Sequence, residues 1–120
     1  MQPNSEFIVK KTKNITRGDI VVFNSSELGK ILVKRLIGMP GDVVDIRGGE
    51  VFINGSYLKE DYVLNNSDYT GTFYVPDDGY LFLGDNRSNS ADARYWDNPY
   101  IHKSAVIGKV ILEINGGVNG

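Results

Sequence analysis

Two dipeptides do most to limit the fold of this chain, Gly48-Gly49 and Asn54-Gly55. Each interrupts a run of residues that suit strands: Val43 to Arg47, Glu50 to Ile53, then Ser56 to Lys59. A two-residue loop between strands needs left-handed backbone, and Gly and Asn reach it at least strain. Three strands in succession joined by such loops form a β-meander. The same punctuation recurs along the chain. Strand-like runs at Phe7–Val9, Ile20–Phe23, Ile31–Ile37, Thr72–Val75 and Tyr80–Leu83 are separated by polar or turn-forming stretches. Pro76-Asp77-Asp78-Gly79 is turn chemistry, and Asn98-Pro99 turns the chain again. Ala105 to Ile114 reads as a strand pair or one long strand, with Gly108 as a bulge or bend. No long amphipathic helix, internal repeat or inter-domain linker interrupts this pattern. The expectation is one domain over residues 1–120, all-β and mainly antiparallel, partly barrel-like or built of packed sheets, with little helix.

Composition narrows the chemistry. The 120 residues are 41% hydrophobic and 23% charged, ordinary for a globular domain with a modest core. A net charge of -2 and the lack of any basic block give no footprint for nucleic acid. Cys is absent, which removes disulfides, a thiol nucleophile and thiolate metal sites. The single histidine, His102, rules out a multi-histidine zinc site and argues against a Ser-His-Asp triad. No metal and no cofactor is expected. No apolar run approaches the ~20 residues that span a bilayer, and no signal peptide opens the chain. The chain as written is expected to be soluble.

The chemistry gathers in two stretches. In the run Ile31 to Ile37, a period of two puts Leu32, Lys34 and Leu36 on one face and Val33, Arg35 and Ile37 on the other. A lysine on an apolar face is either a snorkelling edge residue or an amine held neutral by desolvation, and a neutral amine is a base. The second stretch is Gly84-Asp85-Asn86-Arg87-Ser88-Asn89-Ser90-Ala91-Asp92-Ala93-Arg94. It is either a solvated turn with surface ion pairs or a hydrogen-bonded network. In the network reading Asp85, Arg87, Asp92 and Arg94 pair, and Ser90 offers its hydroxyl to the lysine.

Together these stretches resemble the type I signal peptidases. Lys34-Arg35 precedes the turn Gly38-Met39-Pro40-Gly41-Asp42, and Gly-Asp-Asn-Arg-x-Asn-Ser-x-Asp-x-Arg follows later. Arg17-Gly18-Asp19-Ile20-Val21-Val22-Phe23, Arg94-Tyr95-Trp96 and Gly108-Lys109-Val110 resemble further family elements, so the likeness runs roughly from Gly18 to Val110. The resemblance implies a two-sheet β-fold and a serine endopeptidase that removes signal peptides after small residues of the Ala-x-Ala type. It implies Lys34 as general base and Ser90 as the residue that orients it. Arg35, Asp85, Asn86, Arg87, Asp92 and Arg94 are implied as structural support. Ser88 stands where aspartate is common and Ala93 where serine is common, and each is expected to loosen the loop's hydrogen bonding.

The start of the chain departs further. The family's nucleophile lies in Ser-Met-x-Pro-Thr. Met1-Gln2-Pro3 matches Met-x-Pro, Asn4 replaces the threonine, and the serine is expected just before Met1. Met1, Gln2 and Pro3 are implied substrate contacts. Ser5, beyond the proline, is a poor candidate nucleophile, so the 120-residue chain is expected to be inactive. The implied partners are signal peptides of exported preproteins, pilins among them, bound by strand addition beside Phe7–Val9. The implied setting is the extracytoplasmic face of the cell membrane, reached through an amino-terminal anchor. A second reading is an inactive homologue serving as a pilus-assembly chaperone or binding module. A self-cleaving repressor-type peptidase ranks third, because no DNA-binding domain is visible.

Overall fold

The structure, a computed structural model, describes residues 6–114. Its strands are β1 (Glu6–Lys11), β2 (Ile20–Ser25), β3 (Lys30–Gly38), β4 (Val43–Arg47), β5 (Glu50–Ile53), β6 (Ser56–Tyr57), β7 (Gly71–Tyr74), β8 (Gly79–Leu83), β9 (Tyr100–His102) and β10 (Val106–Ile114). They form two antiparallel sheets. The larger has the order β1-β10-β2-β3-β8-β9, the smaller β6-β5-β4-β7. Among the described residues there is no α-helix, only two short 3-10 turns, Arg87–Asn89 and Lys103–Ala105. None of the described helices is long and apolar enough to cross a membrane.

The expected meander is present as β4-β5-β6. Both of its turns use left-handed backbone, with φ of +56° and +85° at Gly48 and Gly49 and of +51° and +88° at Asn54 and Gly55. The expected bulge is present too. The pairing of β10 with β2 slips between Val106 and Gly108, and β10 continues as one long strand to pair with β1. Strand β9 has no counterpart among the sequence expectations. At three residues, just after Asn98-Pro99, it is too short to show a period, and its pairing with β8 defines it.

The larger sheet has an apolar cluster on each face. Ile37, Leu81 and Leu83 pack toward the smaller sheet, against Val44, Ile46, Val51, Ile53, Phe73 and Val75. Leu36, Tyr80 and Phe82 pack the other way, with Ile15, Val21, Phe23, Ile101 and Val106. Phe23 and Phe82 stack there at 4.2 Å between ring centroids. Alternate residues of β8 therefore serve opposite clusters. That explains an unbroken apolar run in an antiparallel strand, which normally alternates with polar residues. Trp96 packs against both clusters.

Candidate active site

Lys34 leaves β3 on the face of Leu32 and Leu36, as the period of two requires. It is 8% exposed. Across from it runs the loop that β8 delivers, and there the Lys34 Nζ donates to Ser90 Oγ at 3.3 Å. Ser90 directly follows the 3-10 turn Arg87–Asn89, so the orientation of that turn sets where the hydroxyl lies. Burial holds the Lys34 amine below its ordinary value of 10.5. Lys30 and Arg94 push the same way, while Asp92 and Asp85 oppose them.

The loop is held by charge pairs, though not all inside the loop as the sequence suggested. Asp92, fully buried, accepts from Gly84 N at 2.9 Å and from Arg94 N, Nε and Nη2 at 3.1, 2.8 and 2.8 Å. Arg94 also donates to the Arg87 carbonyl at 2.8 Å. Asp85 instead takes both bonds of the Arg35 fork, at 2.9 and 2.5 Å, which ties the loop to the residue next to Lys34. Arg87, 2% exposed, pairs with Glu60 at 3.1 and 2.6 Å. Asn86 sits at the start of the turn, in an isolated bridge with Leu64. Ser88 is exposed, and Ala93 is buried in the apolar cluster between the sheets.

Sequence reading missed Glu60, Tyr62 and Ser67, all from the stretch between β6 and β7. The Tyr62 ring lies 4.0 Å from the Arg35 guanidinium, and Ser67 Oγ accepts from Arg94 at 3.2 Å. One signal was available: an arginine destined for burial at position 87 needs a carboxylate partner. Nothing in the local pattern said which one.

Met1, Gln2, Pro3 and Ser5 lie outside the described residues. Strand β1 pairs with β10, so β10 and β2 stand between it and β3 in the sheet. His102 ends β9, exposed, 3.3 Å from Asp78 and bonded to Ser104. A cleft of about 580 Å3 opens between the β2–β3 turn and the segment after Trp96, with Glu27, Lys30, Tyr100 and His102 in its wall. Neither Lys34 nor Ser90 lines it. Lys30 to Arg35 pair with β2 on one side, whereas β8 pairs only from Arg35 to Gly38 on the other. Among the described residues no strand is registered against Lys30 to Lys34 on that second side. No group of described residues could hold a metal ion.

Chemically, this arrangement offers a buried amine of lowered basicity, hydrogen-bonded to the Ser90 hydroxyl. The family model "Signal peptidase, peptidase S26" matches residues 1–114. The chain is similar to a signal peptidase I of Leptolyngbya laminosa, 41% identical over 105 residues, which cover 80% of this chain and 51% of the relative. Over 97 residues it is 43% identical to signal peptidase I P of Bacillus subtilis subsp. natto, covering 72% and 52% of the two chains. The crystal structure of a signal peptidase I from Enterococcus faecalis superposes with a TM-score of 0.68 at 36% identity, covering 80% of this chain and 96% of that one. The chain spans about half the length of the curated relatives it matches.

Proposed function

Since the chain belongs to the signal peptidase family, peptidase S26, we propose that it is the catalytic part of a serine endopeptidase removing signal peptides, with Lys34 as general base. The observation that carries this reading is the buried Lys34 amine 3.3 Å from Ser90 Oγ, held below its ordinary basicity by desolvation. A charged ammonium cannot accept a proton; a neutral amine can. In the proposed reaction Lys34 takes the proton of a serine hydroxyl as its oxygen attacks the scissile carbonyl. The same proton then passes to the leaving amine, and water cleaves the acyl-enzyme by the reverse roles. Ser90 keeps the amine aimed along this path. Arg35, Asp85, Arg87, Asp92 and Arg94 support the strand and loop that hold the two groups.

The proposed binding mode is an extended substrate held by strand addition, which needs no deep cavity. The substrate class proposed is the signal peptide with small residues of the Ala-x-Ala type before the cut. The proposed nucleophile is a serine immediately before Met1, completing the family's Ser-Met-x-Pro pattern.

The test is a chain carrying that added serine, given an Ala-x-Ala peptide. Cleavage is expected, with kcat/KM falling roughly 10²–10⁴-fold on Lys34→Ala. The 120-residue chain, offered the same peptide, is expected not to turn over. Cleavage untouched by Lys34→Ala, or cleavage by the 120-residue chain that Ser5→Ala abolishes, would overturn the assignment. A folded serine-bearing chain that binds the peptide without cutting it would favour a binding module instead.

A further inference from the structure

The residue beside the proposed base and the turn that presents Ser90 are joined through a third segment, Glu60 to Ser67. Arg35 follows Lys34 on β3, and its guanidinium lies 4.0 Å from the centre of the Tyr62 ring. The Tyr62 hydroxyl donates to Glu60 Oε2 at 2.8 Å. Burial, with the Glu60 carboxylate next, pushes that hydroxyl well above its ordinary pKa, so it stays a donor. Glu60 in turn holds both arms of the Arg87 fork, a pair only 2% and 7% exposed at the side chains. Arg87 Nε donates to the Gly84 carbonyl at 2.7 Å. Backbone bonds run alongside: Leu64 N to Asp85 O at 2.8 Å, Arg87 N to Leu64 O at 3.0 Å, and Ser88 N to Asn65 O at 2.8 Å.

We infer that Glu60 and Tyr62 are positioning residues for the Lys34–Ser90 pair: they clamp the lysine-bearing strand to the serine-bearing turn from outside the site. The inference rests on the proposed role of Lys34. Asp85 alone fixes the loop's first residues to Arg35, four residues before the 3-10 turn has ended. A turn of one revolution has few internal bonds to set its direction. The Glu60 carboxylate adds a side-chain constraint to the bonds that the turn makes to Leu64, Asn65 and Arg94, because a forked pair fixes a guanidinium in angle as well as distance. Tyr62 then sets the carboxylate, and its ring sets Arg35. A small misplacement of a catalytic group is enough to slow a reaction of this kind about a hundredfold.

Among the described residues, the charged groups that act on Lys34 are Lys30 from its own strand and Asp85, Asp92 and Arg94 from the loop; Glu60 and Tyr62 are not among them. An effect of Glu60 or Tyr62 on the lysine is therefore expected to pass through the position of the loop or of Arg35. The experiment follows the Lys34 amine by NMR of lysine labelled at the ε-carbon, assigned with Lys34→Arg, in the 120-residue chain. Variants are Glu60→Gln, Tyr62→Phe and Tyr62→Ala, with Val51→Ala, in the cluster between the sheets, as a destabilised control. In the wild type the amine is expected to titrate below 10.5. It should move up in Glu60→Gln and Tyr62→Ala as water reaches it, less in Tyr62→Phe, and not in Val51→Ala. In the serine-bearing chain, Glu60→Gln should lower kcat by about tenfold or more with little change in KM. A wild-type amine at its ordinary value would sink the base assignment itself. A depressed wild-type amine that none of the Glu60 and Tyr62 variants moves, or that Val51→Ala moves equally, would sink the clamp alone. If Glu60→Gln does not fold, Tyr62→Ala and Tyr62→Phe decide between these outcomes.

Discussion

A lysine amine that the fold desolvates works against the fold that buries it. The Lys34 amine is held below 10.5 in the folded chain, by burial first. The unfolded chain therefore binds the proton more tightly. Between the lowered folded value and 10.5 the unfolded state carries more protons, so stability rises with pH across that window. Below it, the amine is protonated in both states, and the full penalty of burying its charge stands against folding. Lys34→Met keeps the stem's length and apolar contacts and removes the charge. It is expected to raise Tm at pH 7, with the gain shrinking as pH climbs toward 10.5. Thermal melts of both proteins at pH 7 and pH 10 check this; a lower Tm for Lys34→Met at pH 7, or a gap indifferent to pH, would refute it. The position of Lys34 beside Leu32 and Leu36 was legible from alternation alone. Its meeting with Ser90, 56 positions later, was not, because a period describes one strand and says nothing about which loop covers it. The loop's composition left that link as one of two readings, and the likeness to a known family favoured it. The partners of Asp85 and Arg87 escaped both, since any nearby opposite charge satisfies an ion pair on paper.

At the level of elements, strands and tight turns were legible and the register between distant strands was not. The hairpins around Gly48-Gly49 and Asn54-Gly55 are local, and two residues decide them. The joins that build the site are long-range: β3 with β8, β10 with β2, and the Glu60–Ser67 segment with the loop. Gly38 marks the tightest of these joins. It ends β3 where the β3–β8 pairing slips, and a Cβ built there would stand 2.8 Å from Val75 Cγ2, 2.9 Å from Leu81 Cβ and 3.0 Å from Val44 Cγ2. Leu81 Cβ is fixed to the backbone of the neighbouring strand and cannot swing aside. Gly38→Ala should therefore force β3 and β8 apart and destabilise the protein by about 1–3 kcal/mol, as overpacking does. A shift of the urea midpoint measures it. Gly29→Ala is the comparison: nothing lies within 4 Å of its Cβ, and only the positive φ of +66° resists the change. Its loss should stay near ~1 kcal/mol. Equal losses at both positions would mean that close packing at the β3–β8 join is not what Gly38 serves.

Across the whole molecule, two sheets must keep one mutual orientation if strand and loop are to meet over Lys34. The turn between them carries the device that does this. Asp42 Oδ2 accepts from Met39 N at 2.8 Å and from Arg17 Nη2 at 2.5 Å, and Oδ1 accepts from Asn54 Nδ2 at 3.1 Å. Arg17 precedes β2 of the larger sheet and also donates to the Ile37 carbonyl at 3.0 Å. Asn54 belongs to the β5–β6 turn of the smaller sheet, and its own side chain accepts from Val43 N at 2.8 Å. One carboxylate thus bonds to both sheets and to the turn between them. Burial alone would raise its pKa, but the Met39, Arg17 and Asn54 donors outweigh burial and hold it below 3.8. The sign follows: the folded state releases the proton more readily, so Asp42 stabilises the fold above its unfolded value and loses that contribution as pH falls through the lower folded value. Asp42→Asn keeps the shape and one acceptor but loses the charge. It should lower Tm at pH 7, and the gap to the wild type should narrow as pH drops below 3.8. The change should also reach the site, because a loosened joint lets the smaller sheet, and the Glu60 segment between its strands β6 and β7, drift from β3. Melts at pH 7, 4 and 3, with the Lys34 amine titration beside them, test both consequences. Parallel Tm curves would remove the carboxylate's charge from the account of the joint. An unmoved Lys34 would show that the Glu60–Ser67 segment holds the loop in place without help from the turn.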